Sequence, residues 1–316
     1  MNRGATAKFT RLRARTPDSA ARRARRQWRE WAAQVVFLTA AASSIFVTIG
    51  IVWFLFSESI PFFRHVSLAE FLTGTEWAPR DPDSPRYGIL TLASATITTT
   101  LIALAVAIPL GTVVALYLSE FAPHLVREVL KPALELLSAV PTIVYGYFAL
   151  QLVSPLLQLA WPELPTINML SAGLVMGIMI IPYISSLSED AMRSVPMLLR
   201  EGSYALGANR IATALKVVVP SAISGIGAAY VLGISRAIGE TMIVAVAAGN
   251  QPRFTFNPLE AAQTITAYIA QASKGDTSHG GIAYQARFAA GLTLFLITIV
   301  FNLAGHWLRR RYHRAY

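Results

Sequence analysis

The amino-acid sequence predicts an all-α integral membrane protein with six transmembrane helices. Three observations lead there: too little charge for a water-soluble globule, a series of long apolar runs, and arginine that is abundant in every other connecting segment. Of 316 residues, 54% are hydrophobic and only 14% are charged, against about 25% charged in an ordinary soluble domain. That much apolar surface needs a lipid bilayer to face. Cysteine is absent, which excludes disulfides, thiolate metal sites and thiol nucleophiles.

Residues 33–56 carry no charge and exceed the roughly 20 residues needed to cross the hydrocarbon layer. The run is longer than the apolar core of a secretory signal, and no A-x-A pattern closes it, so it is expected to stay as a membrane helix. Further low-charge runs follow at 88–119, 136–162, 164–188, 217–248 and 288–308. The 88–119 run is too long for a straight perpendicular crossing, so it must tilt, overshoot the bilayer or break near Pro109 and Gly111. The chain therefore divides into a basic tail (1–32), a first membrane helix (33–56), an outer segment (57–87), a five-helix core (88–308) that includes the segment 188–217, and a short basic tail (309–316).

Orientation follows from lysine and arginine, which accumulate on the cytoplasmic side of membrane spans. Ten precede residue 33, two lie in 119–131, four in 188–216 and four after Leu308. The alternate segments hold only Arg64, Arg80 and Arg86, then Arg253, Lys274 and Arg287. Both termini are accordingly expected in the cytoplasm. The net charge of +10 is thus topogenic, and nucleic-acid binding is not expected. Trp28 and Trp31 beside the basic tail suit a membrane interface.

Two segments outside the bilayer are patterned. In the outer segment 249–287, Asn257, Pro258 and Glu260 have the spacing of a helix start before AAQTITAYIAQAS. Such a helix would either shield the mouth of the bundle or dock a delivery protein. In the cytoplasmic segment, Tyr204, Ala208, Ile211, Leu215 and Val218 form one helical stripe, and Gly207 beside it would let another backbone come close. This stripe could lie on lipid or serve as a socket for another protein.

The fifth run, VLGISRAIGETMIVAVAAGN, places Arg236 and Glu240 inside an apolar helix, at an i, i+4 spacing that puts them on one face. Each such charge costs about 2.5–3.5 kcal/mol at the bilayer centre, so it must face a partner, a cavity or its neighbour. A mutual ion pair is one solution. The other is an anion in a pathway, because the guanidinium fork matches a tetrahedral oxyanion. Glu240 favours hydrogen phosphate, whose proton a carboxylate can accept, over fully ionised sulfate, which has none to give. Gly233 and Gly239 would keep the helix slim.

Glu201-Gly202-Ser203, then Gly207, then Val217-Val218-Val219-Pro220 resembles the EAA loop of permease subunits of ATP-binding cassette importers, with Gly202 and Ser203 in place of two alanines. That resemblance implies a type I importer permease (MetI-like) fold over the last five spans, with an extra N-terminal helix. It implies that Glu201, Gly207, Ala208 and Ile211 belong to a coupling helix seated on an ATPase subunit. Ser235-Arg236-Ala237-Ile238-Gly239-Glu240-Thr241 is similar to the signature of the phosphate-specific transport (Pst) permeases, and the outer segment and the residues after Thr241 resemble the PstC type more than the PstA type. The resemblance implies transport-path roles for Arg236 and Glu240, flanked by Ser235 and Thr241. It also implies a PstA-like second permease, two PstB-like ATP-binding subunits, a PstS-like extracytoplasmic phosphate-binding protein and inorganic phosphate as cargo. No cofactor is expected in this chain: none of its four lysines follows a glycine, as a Walker A loop requires, so ATP and Mg²⁺ would be bound by the partner ATPase. G-x-S-x-G and H-E-x-x-H are absent as well, so no enzymatic activity is expected. Competing expectations are a permease for sulfate, molybdate or phosphonate, an ion-coupled secondary transporter working alone, and a regulatory membrane subunit.

Overall fold

The structure is a computed structural model that describes residues 17–81, 83–274 and 281–312. Two compact units divide the chain, Met1–Phe54 and Leu55–Tyr316. Helix α1 (Pro17–His65) runs through the junction. Within the first unit its apolar side chains, among them Phe37, Phe46 and Trp53, stand exposed, the state of a helix whose solvent is hydrocarbon.

The second unit begins with the end of α1, a short helix α2 (Leu68–Thr73) capped by the Ser67 hydroxyl, and a hairpin of β1 (Trp77–Ala78) and β2 (Arg86–Tyr87). Trp77 stands opposite Tyr87. Phe62, Phe71, Trp77 and Tyr87 interlock edge to face and join Tyr268 from α12 (Ile265–Lys274). This aromatic cluster gathers the end of α1, α2 and the hairpin into a cap. Burial raises the Tyr268 phenol to about 12, so it is neutral at any physiological pH.

The core is made by α3 (Leu90–Leu116), α7 (Met169–Arg193) and α10 (Val219–Ile238). Helix α3 passes Pro109 without a break and continues through a π-helical turn, Tyr117–Phe121. Of the solutions open to so long a run, a break at Pro109 and Gly111 is not the one adopted. Two of its buried hydroxyls are satisfied within the helix: Thr96 and Thr99 donate to the carbonyls of Leu92 and Ala95 at 2.8 Å. Small residues let the three helices close on one another. A Cβ at Gly173 or Gly177 of α7 would fall within 2.8 Å of Ile102 or of the Ala103 carbonyl, and one at Gly111 of α3 would strike Ile184. This is the close-approach packing that membrane helices use in place of hydrophobic drive.

Between α3 and α7 lies a broken span. Helix α4 (His124–Ala139) meets the next helix, α5 (Thr142–Phe148), at a bend of 90°. The break falls at Val140-Pro141, because proline denies the helix an N–H and disfavours helical geometry in the residue before it. A second π turn, Ala149–Val153, leads into α6 (Ser154–Gln158). Among the described residues five helices are long and apolar enough to cross a membrane, or six where the bent pair counts as one span. The six-helix, all-α expectation holds, with the third span angular rather than straight.

The remaining helices are α8 (Met197–Ala205), α9 (Arg210–Thr213), a third π turn (Ala214–Val218), α11 (Met242–Ala247) and α13 (Ile282–Tyr312). Three sequence expectations change here. The fifth span is not helical to residue 248: α10 ends at Ile238 and α11 restarts at Met242. The helix of the outer segment does not begin at Asn257. Asn257 instead closes a turn, accepting from the Leu259 N–H at 3.2 Å. Residues 258–260 continue that turn and 261–264 form no regular element; residues 258–263 exchange backbone hydrogen bonds with Met169, Leu170, Ala248 and Gln251. The helix starts only at Ile265, where the Thr264 hydroxyl receives the Ala267 N–H. Third, the stripe from Tyr204 to Val218 is not one helix, because the chain turns at Leu206–Asn209.

Candidate transport site and coupling segment

Arg236 lies in the last turn of α10. Its guanidinium carbon sits 4.9 Å from the centroid of the Tyr183 ring on α7, and its side of the helix is exposed. Gly233, one turn earlier, makes the contact possible. A Cβ there would fall 3.0 Å from Ile184 Cδ1, so α10 rides close on α7 beside Tyr183. Gly239 has a different use from the one its sequence suggests: the nearest atom to a Cβ there is the Ser235 carbonyl at 3.4 Å, and the residue ends the helix rather than packing against a neighbour.

Glu240 follows that end and is not on the same helical face as Arg236, because no helix connects them. The carboxylate is buried, 6% exposed. Its Oε1 accepts the N–H groups of Met242 and Ile243 at 3.0 and 3.3 Å, capping α11. Its carbonyl receives the buried Thr266 hydroxyl of α12 at 2.6 Å. Among the described residues no carboxylate lies within ion-pair distance of Arg236, so the mutual ion pair is not formed. Thr241 leads into α11, with its hydroxyl on the Gly239 carbonyl at 3.3 Å. Ser235 turns the other way: its hydroxyl donates to Val231 O and to Asn302 Oδ1 of α13, both at 3.0 Å. It therefore ties α10 to α13 in this state. The string SRAIGET is thus a helix end, a break and a helix start, with Arg236 exposed before the break and Glu240 buried within it.

At the other end of the core, α8 and α9 form a helix–turn–helix. Gly207 adopts φ +83°, and a Cβ there would meet nothing within 4 Å. Glycine is needed for the left-handed conformation that ends α8, not for close approach within this chain. Asn209 then caps α9 by accepting the Ala212 N–H at 2.8 Å, and the Ser203 and Thr213 hydroxyls close the turn at 2.9 Å. Glu201, Tyr204, Leu206, Ile211 and Leu215 are exposed and Ala208 half-buried. Leu206 is the extreme case, at 90%. So much uncovered apolar surface fits both sequence expectations, a segment lying on lipid and a socket for another protein.

Two ionic clusters lie at this end of the core, the first of them holding this segment, and sequence reasoning passed over both. Arg200 of α8 grips Glu120 of the first π turn through two nitrogens, at 2.9 and 3.4 Å, and donates to the carbonyls of Val195 and Met192 at 2.6 and 2.9 Å. Glu189 of α7, fully buried, takes Arg127 Nε at 2.7 Å and has Lys131 Nζ 3.1 Å from its other oxygen, binding α4 to α7. The only available signal was that these charges stand in otherwise apolar surroundings at the ends of spans, where they read simply as topogenic loops.

A helical bundle with several spans, one of them broken, and an uncovered apolar helix pair at one end has the build of a polytopic membrane protein. Residues 107–315 match the binding-protein-dependent transport system inner membrane components, and the chain belongs to that family of multi-pass inner-membrane proteins. It is 35% identical over 291 residues to the probable ABC transporter permease protein YqgH of Bacillus subtilis, covering 92% of this chain and 94% of the relative. It is 34% identical to the phosphate transport system permease protein PstC of Haemophilus influenzae, over 84% of this chain and 86% of that one. It is 32% identical to phosphate transport system permease protein PstC 1 of Mycobacterium tuberculosis, over 78% and 82%. Among solved structures, a bacterial alginate ABC transporter in complex with its alginate-bound periplasmic protein aligns with a TM-score of 0.61, at 17% identity over 90% of this chain and 95% of that one. The inward-facing MetNI methionine ABC transporter aligns at 0.54, with 18% identity, over 72% and 95%. These two share the fold.

Proposed function

We propose that this chain is the PstC-type permease subunit of an ATP-driven importer of inorganic phosphate, with both termini in the cytoplasm. The observation that carries the proposal is Arg236: a guanidinium in a membrane-spanning helix, exposed, with no acid paired to it among the described residues. A charge in that position needs compensation, and an oxyanion supplied by the pathway provides it. The named relatives make phosphate the natural cargo.

In this reading a PstA-like permease completes the pathway, a PstS-like protein delivers phosphate to the cap formed by 57–87 and α12, and two PstB-like subunits bind ATP and Mg²⁺ and hydrolyse the nucleotide. Glu201, Gly207, Ala208 and Ile211 lie at the motor's contact. Closure of the motor pushes on α8 and α9, and the Arg200–Glu120 clamp passes that push to α3 and α7. Glu240 has one oxygen committed to the α11 N–H groups, which leaves the other for the proton of hydrogen phosphate. Reaching it requires the break at Gly239–Thr241 to open, so the break is the moving part of the site. Thr241 lies in that moving part, while Ser235 holds the α10–α13 contact against which it moves.

Uptake of labelled phosphate into vesicles containing the reconstituted complex tests the reading. Arg236→Gln is expected to abolish uptake while the subunits still assemble. Normal uptake by an assembled Arg236→Gln complex would refute it.

A further inference from the structure

We infer that Tyr183 is a positioning residue for the transported anion: its ring holds the Arg236 guanidinium aimed into the pathway while the site is empty. The inference rests on the proposed transport role of Arg236 and extends it to a residue on a different helix, one that neither the SRAIGET string nor the coupling loop contains.

An empty oxyanion site with a single arginine has two problems. The charge needs compensation when no anion is bound, and the long side chain needs to be kept from collapsing onto the nearest acid or carbonyl. A carboxylate would solve the first and spoil the second, because a bidentate acid occupies the same N–H fork that the anion must take. Here no acid takes that place and Glu240 is engaged elsewhere, by the N–H groups of Met242 and Ile243. Nor does any N–H of Arg236 have a protein acceptor among the described residues. What faces the guanidinium carbon instead is the Tyr183 ring, 4.9 Å away. An aromatic face attracts a cation electrostatically without using its hydrogen-bond donors, so the fork stays vacant for the ligand.

The local architecture fixes both partners. Tyr183 follows Pro182 on α7, next to Ile184, the residue against which Gly233 of α10 is packed. A close α7–α10 approach therefore falls one helical turn before Arg236 and carries the guanidinium to the ring. On its far side the Tyr183 hydroxyl points to the Ser138 carbonyl at 3.5 Å, near the end of α4. At that length the hydroxyl is a weak anchor. The role assigned here thus belongs to the ring, and phenylalanine should fill it.

The test is phosphate uptake by the whole reconstituted complex, with concentration dependence measured for Tyr183→Leu, Tyr183→Phe and Arg236→Gln side by side, and with assembly checked for each. The expected result is a half-saturating phosphate concentration raised about 3- to 30-fold in Tyr183→Leu, the range a cation–π contact of this kind commands. The maximal rate should change little, and Tyr183→Phe should stay within about twofold of the parent. Should leucine prevent assembly, Tyr183→Met, unbranched at Cβ and Cγ, takes its place under the same criterion. An unchanged half-saturation in the leucine or methionine variant, or equal impairment in Tyr183→Phe, overturns the inference. If either occurs while Arg236→Gln abolishes uptake, Arg236 keeps its role and Tyr183 loses its own. If Arg236→Gln transports normally, the site assignment itself fails.

Discussion

The Arg200–Glu120 pair permits a quantitative test of how the α8–α9 segment is held to the membrane core. Arg200 is 9% exposed and Glu120 7%, and the guanidinium also serves the Val195 and Met192 carbonyls. Arg200→Met therefore removes one charge and four hydrogen bonds, and leaves Glu120 with the Ser119 hydroxyl alone. Breaking a buried pair from one side costs about 3–5 kcal/mol, because the abandoned charge is desolvated without compensation. Glu120→Leu should cost less, near the lower end of that range, since Arg200 keeps two carbonyl acceptors. The double variant should recover most of the loss, as replacing both partners of a buried pair with apolar groups is often close to neutral. The assay is hydrogen exchange across residues 197–213 in nanodiscs. A local loss of about 3 kcal/mol corresponds to a roughly hundredfold faster exchange, at tenfold per 1.4 kcal/mol. Exchange in Arg200→Met within tenfold of the parent, or a double variant as fast as the two single losses combined, would refute the clamp.

Gly207 separates backbone conformation from space. With φ at +83° and open surroundings, Gly207→Ala should cost about 1 kcal/mol in the isolated chain, and Gly207→Asn less, because asparagine tolerates the left-handed region. The same exchange experiment should rank asparagine nearer the parent than alanine. The cap offers a pH test. The Asp83 and Ser84 N–H groups, which donate to the Asp81 carboxylate, hold it below its usual range. Its folded value is therefore lower than its unfolded one, so its contribution is complete above the ordinary carboxylate range and is lost as pH falls through the folded value. These two hydrogen bonds, followed by exchange of the Asp83 and Ser84 amides, should persist through pH 5 and fail only in stronger acid. In Asp81→Asn that acid dependence should vanish.

The spans were legible because a bilayer demands contiguous apolar length, and no tertiary contact overrides that demand. The string around Arg236 was legible as chemistry and misread as geometry. Continuing the α10 period through Gly239 put Arg236 and Glu240 on one face, whereas the glycine ends the helix and the Glu240 carboxylate starts the next. Asn257 and Pro258 formed a sound local helix start that tertiary pairing overrode: residues 258–263 satisfy the backbone of Met169, Leu170, Ala248 and Gln251, partners nothing in the local pattern announces. Gly207 was singled out for its small size, whereas within this chain it serves through its φ of +83°; sequence does not distinguish a glycine needed for its φ from one needed for its size. Tyr183, Glu189 and Arg200 left no motif at all. Each acquires its part only when helices distant in the sequence are brought side by side.

The third π-helical turn, Ala214–Val218, has a consequence for inheritance of the site. Such a turn takes in one more residue than a regular turn, so the surplus residue is absorbed in the wider loop instead of rotating everything downstream by about 100°. The compass bearing of Arg236 is thus set some twenty residues upstream, beside the α8–α9 segment. Tightening that turn into regular helix without removing a residue would keep every side chain of the signature and swing the guanidinium off Tyr183 to another quarter of the bundle, whereas deleting one residue there would restore a smooth helix and leave the bearing in place. A permease can in this way lose its cargo through a change that no inspection of its signature would reveal.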